Sequence, residues 1–198
     1  MRLPKIYLVR HGETLWNVEG RYQGQLNSPL TKKGEEQAKA NGEKLLKYLK
    51  DIDEFDFYSS PLGRASTTAK IIADVIGFNK ENIIFDKKIQ EVSYGIFEGQ
   101  TKEYCKSELK EQFESREANK WSYTLEGGGE SYESVSIRVK EWLSTLDSNR
   151  AVVMVAHEMI NRTLRGIYLG LENEVMLKLR QPNDVLILLE DGQEKIVE

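Results

Sequence analysis

Five short apolar runs punctuate this chain, and stretches of helical period fill the intervals between them. The runs are Ile6-Tyr7-Leu8-Val9, Phe55-Asp56-Phe57-Tyr58, Ile83-Ile84-Phe85, Val152-Val153-Met154-Val155-Ala156 and Val185-Leu186-Ile187-Leu188-Leu189. Runs this short and this apolar read as buried strands. Ala38, Gly42, Leu45, Leu46 and Leu49 share one helical face. So do Ala65, Ala69, Ile72 and Ile76, and again Val135, Val139, Trp142, Leu143 and Leu146. Ser60 reads as the N-cap of the second of these helices, with Pro61 in its first position and Gly77 at its end. A further helix is expected between Ala156 and Gly170, and Asp191-Gly192 turns a hairpin into Lys195-Ile196-Val197. Strands alternating with helices require an α/β three-layer sandwich, a mostly parallel central sheet with helices on both faces.

Composition narrows the class. A length of 198 residues corresponds to about one domain, so residues 1–198 read as a single unit. With 39% hydrophobic and 30% charged residues, the chain is an ordinary folded protein rather than a disordered one. The lone Cys105 excludes an intramolecular disulfide and a cysteine-based metal cluster. Lys and Arg number 28 against 32 Asp and Glu, a net charge of −4, which argues against nucleic acid as a general partner. The apolar run near the start is too short for a leader or a membrane span, so a soluble, cytoplasmic protein is expected. Residues 101–120 differ from the rest. They are dense in charge, with only Tyr104, Leu109 and Phe113 as a thin apolar stripe. They read as a charged helical insertion, more simply a solvated face than a lid.

Open α/β sheets bind ligands beyond the carboxyl ends of their strands, so the residues after each strand carry the functional information. Arg10-His11-Gly12-Glu13-Thr14 follows the first run, Ser59-Ser60-Pro61-Leu62-Gly63-Arg64 the second, and His157-Glu158 the fourth. The chain has two histidines, and each sits directly after an apolar strand. Guanidinium groups match phosphate oxygens in bidentate fashion. A neutral imidazole can attack phosphorus and hold the phosphoryl group covalently, and neighbouring arginines favour the neutral ring. Two histidines and two arginines therefore suit phosphoryl transfer without a metal. His157-Glu158-Met159-Ile160-Asn161 mimics the start of a zinc helix, but its second histidine is missing. Gly127-Gly128-Gly129 has no following Lys-Ser/Thr, so it reads as a flexible turn rather than a phosphate loop.

Leu8-Val9-Arg10-His11-Gly12-Glu13-Thr14 resembles the Arg-His-Gly signature of the histidine phosphatase superfamily, also called phosphoglycerate mutase-like. Asn17, Gly24 and the run from Pro29 to Ala38 resemble the family's next segment. Ser59 to Ala65 is similar to its second arginine motif, Glu91 to Gly99 to its acid-bearing loop, and Gly128-Gly129-Glu130-Ser131 with Val155-Ala156-His157 completes the order. The resemblance implies that His11 is the nucleophile, that Arg10, Arg64 and His157 complete a phosphate pocket with Asn17 as a further contact, and that Glu91 is the proton donor to the leaving alcohol. It implies no metal and no cofactor. The family's usual Gly after the second histidine is here Glu158, whose carboxylate could repel phosphate or could point away while its backbone N–H reaches the ligand.

Each residue also has a plainer reading. His11 or His157 could be a hydrogen-bonded structural histidine, Arg64 a helix-surface residue, and Asn17 the cap of a turn. Glu98 competes with Glu91 as the loop acid. Glu13 could pair with an arginine or only shape its loop, and Thr14 reads as an N-cap or a phosphate neighbour. The reading that follows is a histidine-type acid phosphatase, a metal-independent phosphomonoesterase acting on a small phosphorylated metabolite through a phosphohistidine. One alternative is a cofactor-dependent phosphoglycerate mutase, which would need 2,3-bisphosphoglycerate. Against it, the acid loop lacks the histidine that mutases carry near the acid, and the chain looks shorter than theirs. The other alternative is a non-catalytic module that binds a phosphorylated ligand. The oligomeric state is left open, since the apolar stripes are all accounted for by the core.

Overall fold

The structure is a computed structural model and describes residues 3–49 and 55–197. Met1 and Arg2 lie outside the described residues. Six strands form one sheet: β1 (Ile6–Arg10), β2 (Phe55–Ser59), β3 (Ile84–Phe85), β4 (Ala151–Ala156), β5 (Leu186–Glu190) and β6 (Gln193–Val197), in the order β3-β2-β4-β1-β5-β6. β1 and β2 both run parallel to β4, and β2 runs parallel to β3. β5 is antiparallel to β1 and to β6. Asp191 and Gly192 both take positive φ, 49° and 72°, as a tight two-residue hairpin turn requires.

Eight α-helices accompany the sheet among the described residues: α1 (Leu15–Val18), α2 (Lys32–Leu46), α3 (Gly63–Ile76), α4 (Lys102–Ser107), α5 (Lys110–Ala118), α6 (Tyr132–Ser144), α7 (Glu158–Leu169) and α8 (Asn173–Met176). None is long and apolar enough to cross a membrane. Strand side chains alternate between the two faces. Tyr7, Val9, Phe57, Val153 and Val155 pack with Leu45 of α2 and with Ala65, Ala69 and Ile72 of α3. Ile6, Leu8, Val152 and Met154 pack with Val135, Val139 and Trp142 of α6 and with Ile160 and Leu164 of α7. These side chains are almost wholly removed from water, which stabilises the fold by about 1.5–3 kcal/mol for each large one.

Three local expectations change. β3 is an exposed edge strand rather than a buried one: Ile83 is buried, but Ile84 and Phe85 are 43% and 44% exposed. Leu46 ends α2 facing solvent at 49% exposure, because the buried stripe runs through Gly34, Ala38, Asn41, Gly42 and Leu45. Helix α3 begins at Gly63 with Leu62 as its N-cap residue, not at Pro61. Ser60 does not cap it because its hydroxyl is engaged elsewhere, 2.8 Å from His157 Nε2 and accepting from the Leu62 N–H at 3.3 Å. The cap is supplied from a distant loop, where Asn27 Oδ1 accepts from the Arg64 N–H at 2.8 Å.

Candidate active site

Arg10 and Ala156 are register partners at the ends of adjacent parallel strands. His11 and His157, the next residues, therefore leave the sheet at the same level. Their ring centroids are 5.2 Å apart. The His11 N–H continues the ladder, donating to the Ala156 carbonyl at 3.0 Å. Gly12 is required by packing, because a Cβ there would lie 2.2 Å from the Gly34 carbonyl oxygen at the first turn of α2. Thr68 Oγ1 on α3 accepts from the Gly12 N–H at 3.1 Å. The loop that carries His11 is thus seated directly on two helices.

The His11 tautomer follows from its partners. Nδ1 lies 2.8 Å from the Gly12 carbonyl oxygen, which can only accept, so Nδ1 carries the proton. Nε2 is left with its lone pair, facing the Arg64 Nε–H at 3.3 Å. Arg64 is buried and further fixed by donating to the carbonyls of Leu26 and Gly24, each at 2.7 Å. Burial, then Arg64, then Arg10 hold the His11 pKa well below its ordinary value. Burial, then Arg64, does the same for His157. Burial also lowers Arg64, to about 10.

A cavity of about 340 Å³ opens over this group. Arg10, His11, Asn17, Arg64, Glu91 and Glu158 all line it. His157 is wholly buried beside His11, and among the described residues its Nδ1 has no hydrogen-bond partner, nor does the buried Nε of Arg10. Buried polar atoms are rarely left so. Glu91 is buried, and its burial raises the carboxyl pKa against the pull of Arg64. Its oxygens accept from the backbone N–H groups of Val92 at 3.0 Å and Met159 at 3.4 Å. Glu98 has a different task. Its carboxylate takes the N–H groups of Gln25 and Tyr94 and the Ser93 hydroxyl, tying the loop together.

Asn17 both caps and lines. Its Oδ1 accepts from the Thr14 N–H at 3.1 Å within the capping box of α1, and the residue also borders the cavity. Thr14 is that N-cap. Glu13 pairs with Lys33 and the Thr31 hydroxyl rather than with an arginine. The Glu158 carboxylate does not point away. It borders the cavity and is 3.1 Å from each of Arg10, Arg162 and Arg180.

Sequence reasoning did not single out Arg162, Tyr94, Tyr132 or Arg180 as cavity residues. Arg162 stands four residues after Glu158, a pairing distance on a helix, and that signal was available. The stretch 101–120 is more than a solvated face, because Lys102, Lys106, Phe113, Arg116 and Lys120 line the cavity. Cys105 is fully buried and its thiol is pushed up to about 11 by that burial, so it is inert.

A model of the histidine phosphatase superfamily (branch 1) matches residues 6–197. A probable phosphoglycerate mutase of Salmonella paratyphi C is 37% identical over 185 residues, covering 90% of this chain and 81% of that protein. Among solved structures, a mycobacterial glucosyl-3-phosphoglycerate phosphatase superposes with a TM-score of 0.78 at 26% identity, covering 98% of this chain and 97% of the other. The alpha-ribazole phosphatase of Shigella flexneri superposes with a TM-score of 0.79 at 25% identity, covering 98% and 95%.

Proposed function

Because this chain belongs to the histidine phosphatase superfamily, we propose that it is a metal-independent phosphomonoesterase of the cytoplasm that acts on a small phosphorylated metabolite through a phosphohistidine on His11. The observation that carries the reading is the His11 ring, with Nδ1–H on the Gly12 carbonyl and the Nε2 lone pair presented beside Arg64 at the cavity. A lowered pKa keeps that ring neutral, and therefore nucleophilic, at neutral pH.

In the first step His11 Nε2 forms a bond to phosphorus while the bond to the ester oxygen breaks. Arg10 and Arg64 hold the non-bridging oxygens, and the unpartnered buried atoms Arg10 Nε and His157 Nδ1 suit further contacts to the same anion. The raised pKa of Glu91 keeps a proton available for the departing alkoxide. The resulting Glu91 carboxylate then takes a proton from water as the water oxygen attacks phosphorus. The N–P bond breaks, and inorganic phosphate leaves with His11 and Glu91 restored. Asn17 serves as a further phosphate contact on the cavity rim.

The test is hydrolysis of p-nitrophenyl phosphate in EDTA by the wild type and by His11→Ala. EDTA-resistant turnover that disappears in the variant is expected; turnover that survives His11→Ala overturns the mechanism. The sequence relative named as a probable phosphoglycerate mutase favours a second reading, isomerisation. Mutase turnover on adding 2,3-bisphosphoglycerate, at a rate above hydrolysis, would establish that reading instead.

A further inference from the structure

Glu91 stands in a loop, and loops are more mobile than the elements they connect. This one is fixed from outside. Arg138, at the middle of α6, donates from Nη1 to the Lys88 carbonyl at 2.7 Å and from Nη2 to the Glu91 carbonyl at 3.3 Å. The same guanidinium grips Glu130 as a fork, Nε to Oε1 at 2.9 Å and Nη2 to Oε2 at 3.0 Å. Glu130 in turn accepts from the Ser93 N–H at 2.9 Å, and its own N–H donates to the Ser93 carbonyl at 2.8 Å. One ion pair therefore holds the backbone before Glu91, at Glu91 and after it. Arg138 and Glu130 keep only 17% and 23% of their side chains in water, and a shielded bidentate pair holds its geometry better than a surface one.

The pair also keeps its charge to itself. Arg64 of α3 and Arg10 of β1 already act on the Glu91 carboxyl, and both favour its ionised form. Tyr94 and Tyr132 also sense its charge. A further bare guanidinium, on the α6 side, would favour loss of the proton still more. With Glu130 across its fork, Arg138 anchors the loop without adding net charge there.

We propose that Arg138 and Glu130 are positioning residues for Glu91: their ion pair, rather than the loop itself, keeps the Glu91 carboxyl buried at the cavity, and it cancels its own charge while doing so. This inference rests on the reading of Glu91 as the proton donor and deepens it. Neither Arg138 nor Glu130 is among the residues that line the cavity, so both act through Glu91 and not on the substrate.

Arg138→Met tests it by carbon-13 NMR of the glutamate carboxyls, with the Glu91 signal identified by its loss in Glu91→Gln. In the wild type, burial raises the Glu91 pKa. If the pair positions Glu91, the variant lets the carboxyl reach water and its pKa falls towards the ordinary range. If Arg138 were only a nearby charge, its removal would leave Glu130 uncancelled and move the pKa the other way. A rise or no change therefore overturns the inference. Arg138→Lys keeps the charge but loses the fork, so it should show a smaller fall; should the Met variant fail to fold, an unchanged pKa in Arg138→Lys overturns the inference instead. Kinetics give a second readout. In Arg138→Met, kcat/KM should fall about tenfold more for phenyl phosphate than for p-nitrophenyl phosphate, because the poorer leaving group depends more on the donor. An equal fall for both esters, beside an unequal fall in Glu91→Gln, marks a merely structural role and overturns the inference. If Glu91→Gln itself shows no such difference, or the wild type hydrolyses neither ester, the reading of Glu91 as donor is what fails, and the carboxyl signal alone decides whether the pair places Glu91.

Discussion

Arg64 donates its Nε–H to His11 Nε2 across 3.3 Å, so a cation rests against the nitrogen that bonds to phosphorus in the proposed mechanism. The hydrogen bond occupies the Nε2 lone pair, so in that mechanism Arg64 passes to a phosphoryl oxygen as the ring attacks and brings its charge beside the point of attack. Replacing Arg64 with Lys keeps a charge but loses the planar fork that reaches His11, Leu26 and Gly24 at once. We expect kcat/KM for p-nitrophenyl phosphate to fall by about a hundredfold or more, with the larger part in kcat, as steady-state kinetics would read.

Glu91→Gln removes the proposed proton donor. The loss should be about a hundredfold or more for an alkyl phosphate, whose leaving group needs protonation, and smaller for p-nitrophenyl phosphate in the first step. Because the same carboxylate activates water in the proposed second step, stopped-flow should then show a burst of p-nitrophenol followed by slow turnover. Equal losses on both esters with no burst would remove Glu91 from both roles.

Stability should decline on acidification. His11 and His157 have folded pKa values well below their ordinary 6.5, so the unfolded chain binds protons that the native state refuses. Their contribution is fully present above pH 6.5 and is lost as the pH falls towards their folded values, each by at most about 1.4 kcal/mol per pH unit. Glu91 acts in the opposite sense, since its raised pKa favours the native state at low pH. Urea midpoints measured from pH 7.5 to pH 5 should fall for the wild type and fall less steeply for His157→Asn.

Glu158→Gln should tighten anion binding. The change removes the one carboxylate shared by Arg10, Arg162 and Arg180. The inhibition constant of inorganic phosphate should drop by about three- to tenfold at low salt, with a steeper dependence on ionic strength. Weaker phosphate inhibition would mean that Glu158 mainly orients Arg10.

Gly12→Ala should cost about 3 kcal/mol, because the added Cβ meets the Gly34 carbonyl, a backbone atom that cannot step aside. Thermal denaturation would show it. Thr68→Ser, which keeps the hydroxyl accepting from the Gly12 N–H, should be much milder.

The strands carrying both histidines, the α/β layering and the gathering of Arg10, His11 and Arg64 were legible because each depends on local pattern, an apolar run followed by a polar terminus, whereas Glu91 was legible only through the resemblance to the family. What escaped depends on contacts distant in sequence. Ser60 looks like a cap until His157 engages its hydroxyl, and Asn27 takes over from a separate loop. Residues 101–120 look solvated because charge content gives no direction. Phe113 on Phe97 and Arg116 over the Tyr94 ring tie one face of this stretch beside the cavity. Glu158 looks hostile to phosphate in isolation, and three arginines drawn from separate segments change its meaning.

Strand β1 lies between β4 and β5, with Ile6 paired to Val152 on one side and to Leu189 on the other. Both neighbours come from the far end of the chain. During synthesis β1 therefore leaves the ribosome on the order of ten seconds before either partner exists. Arg10, His11, Arg64 and Glu91 of the candidate site are already translated, yet the strand that carries Arg10 has neither of its partners. Assembly of the site is a late and cooperative event, and a truncated chain that stops short of β4 would present β1 as an unpaired apolar edge, open to aggregation or to a chaperone.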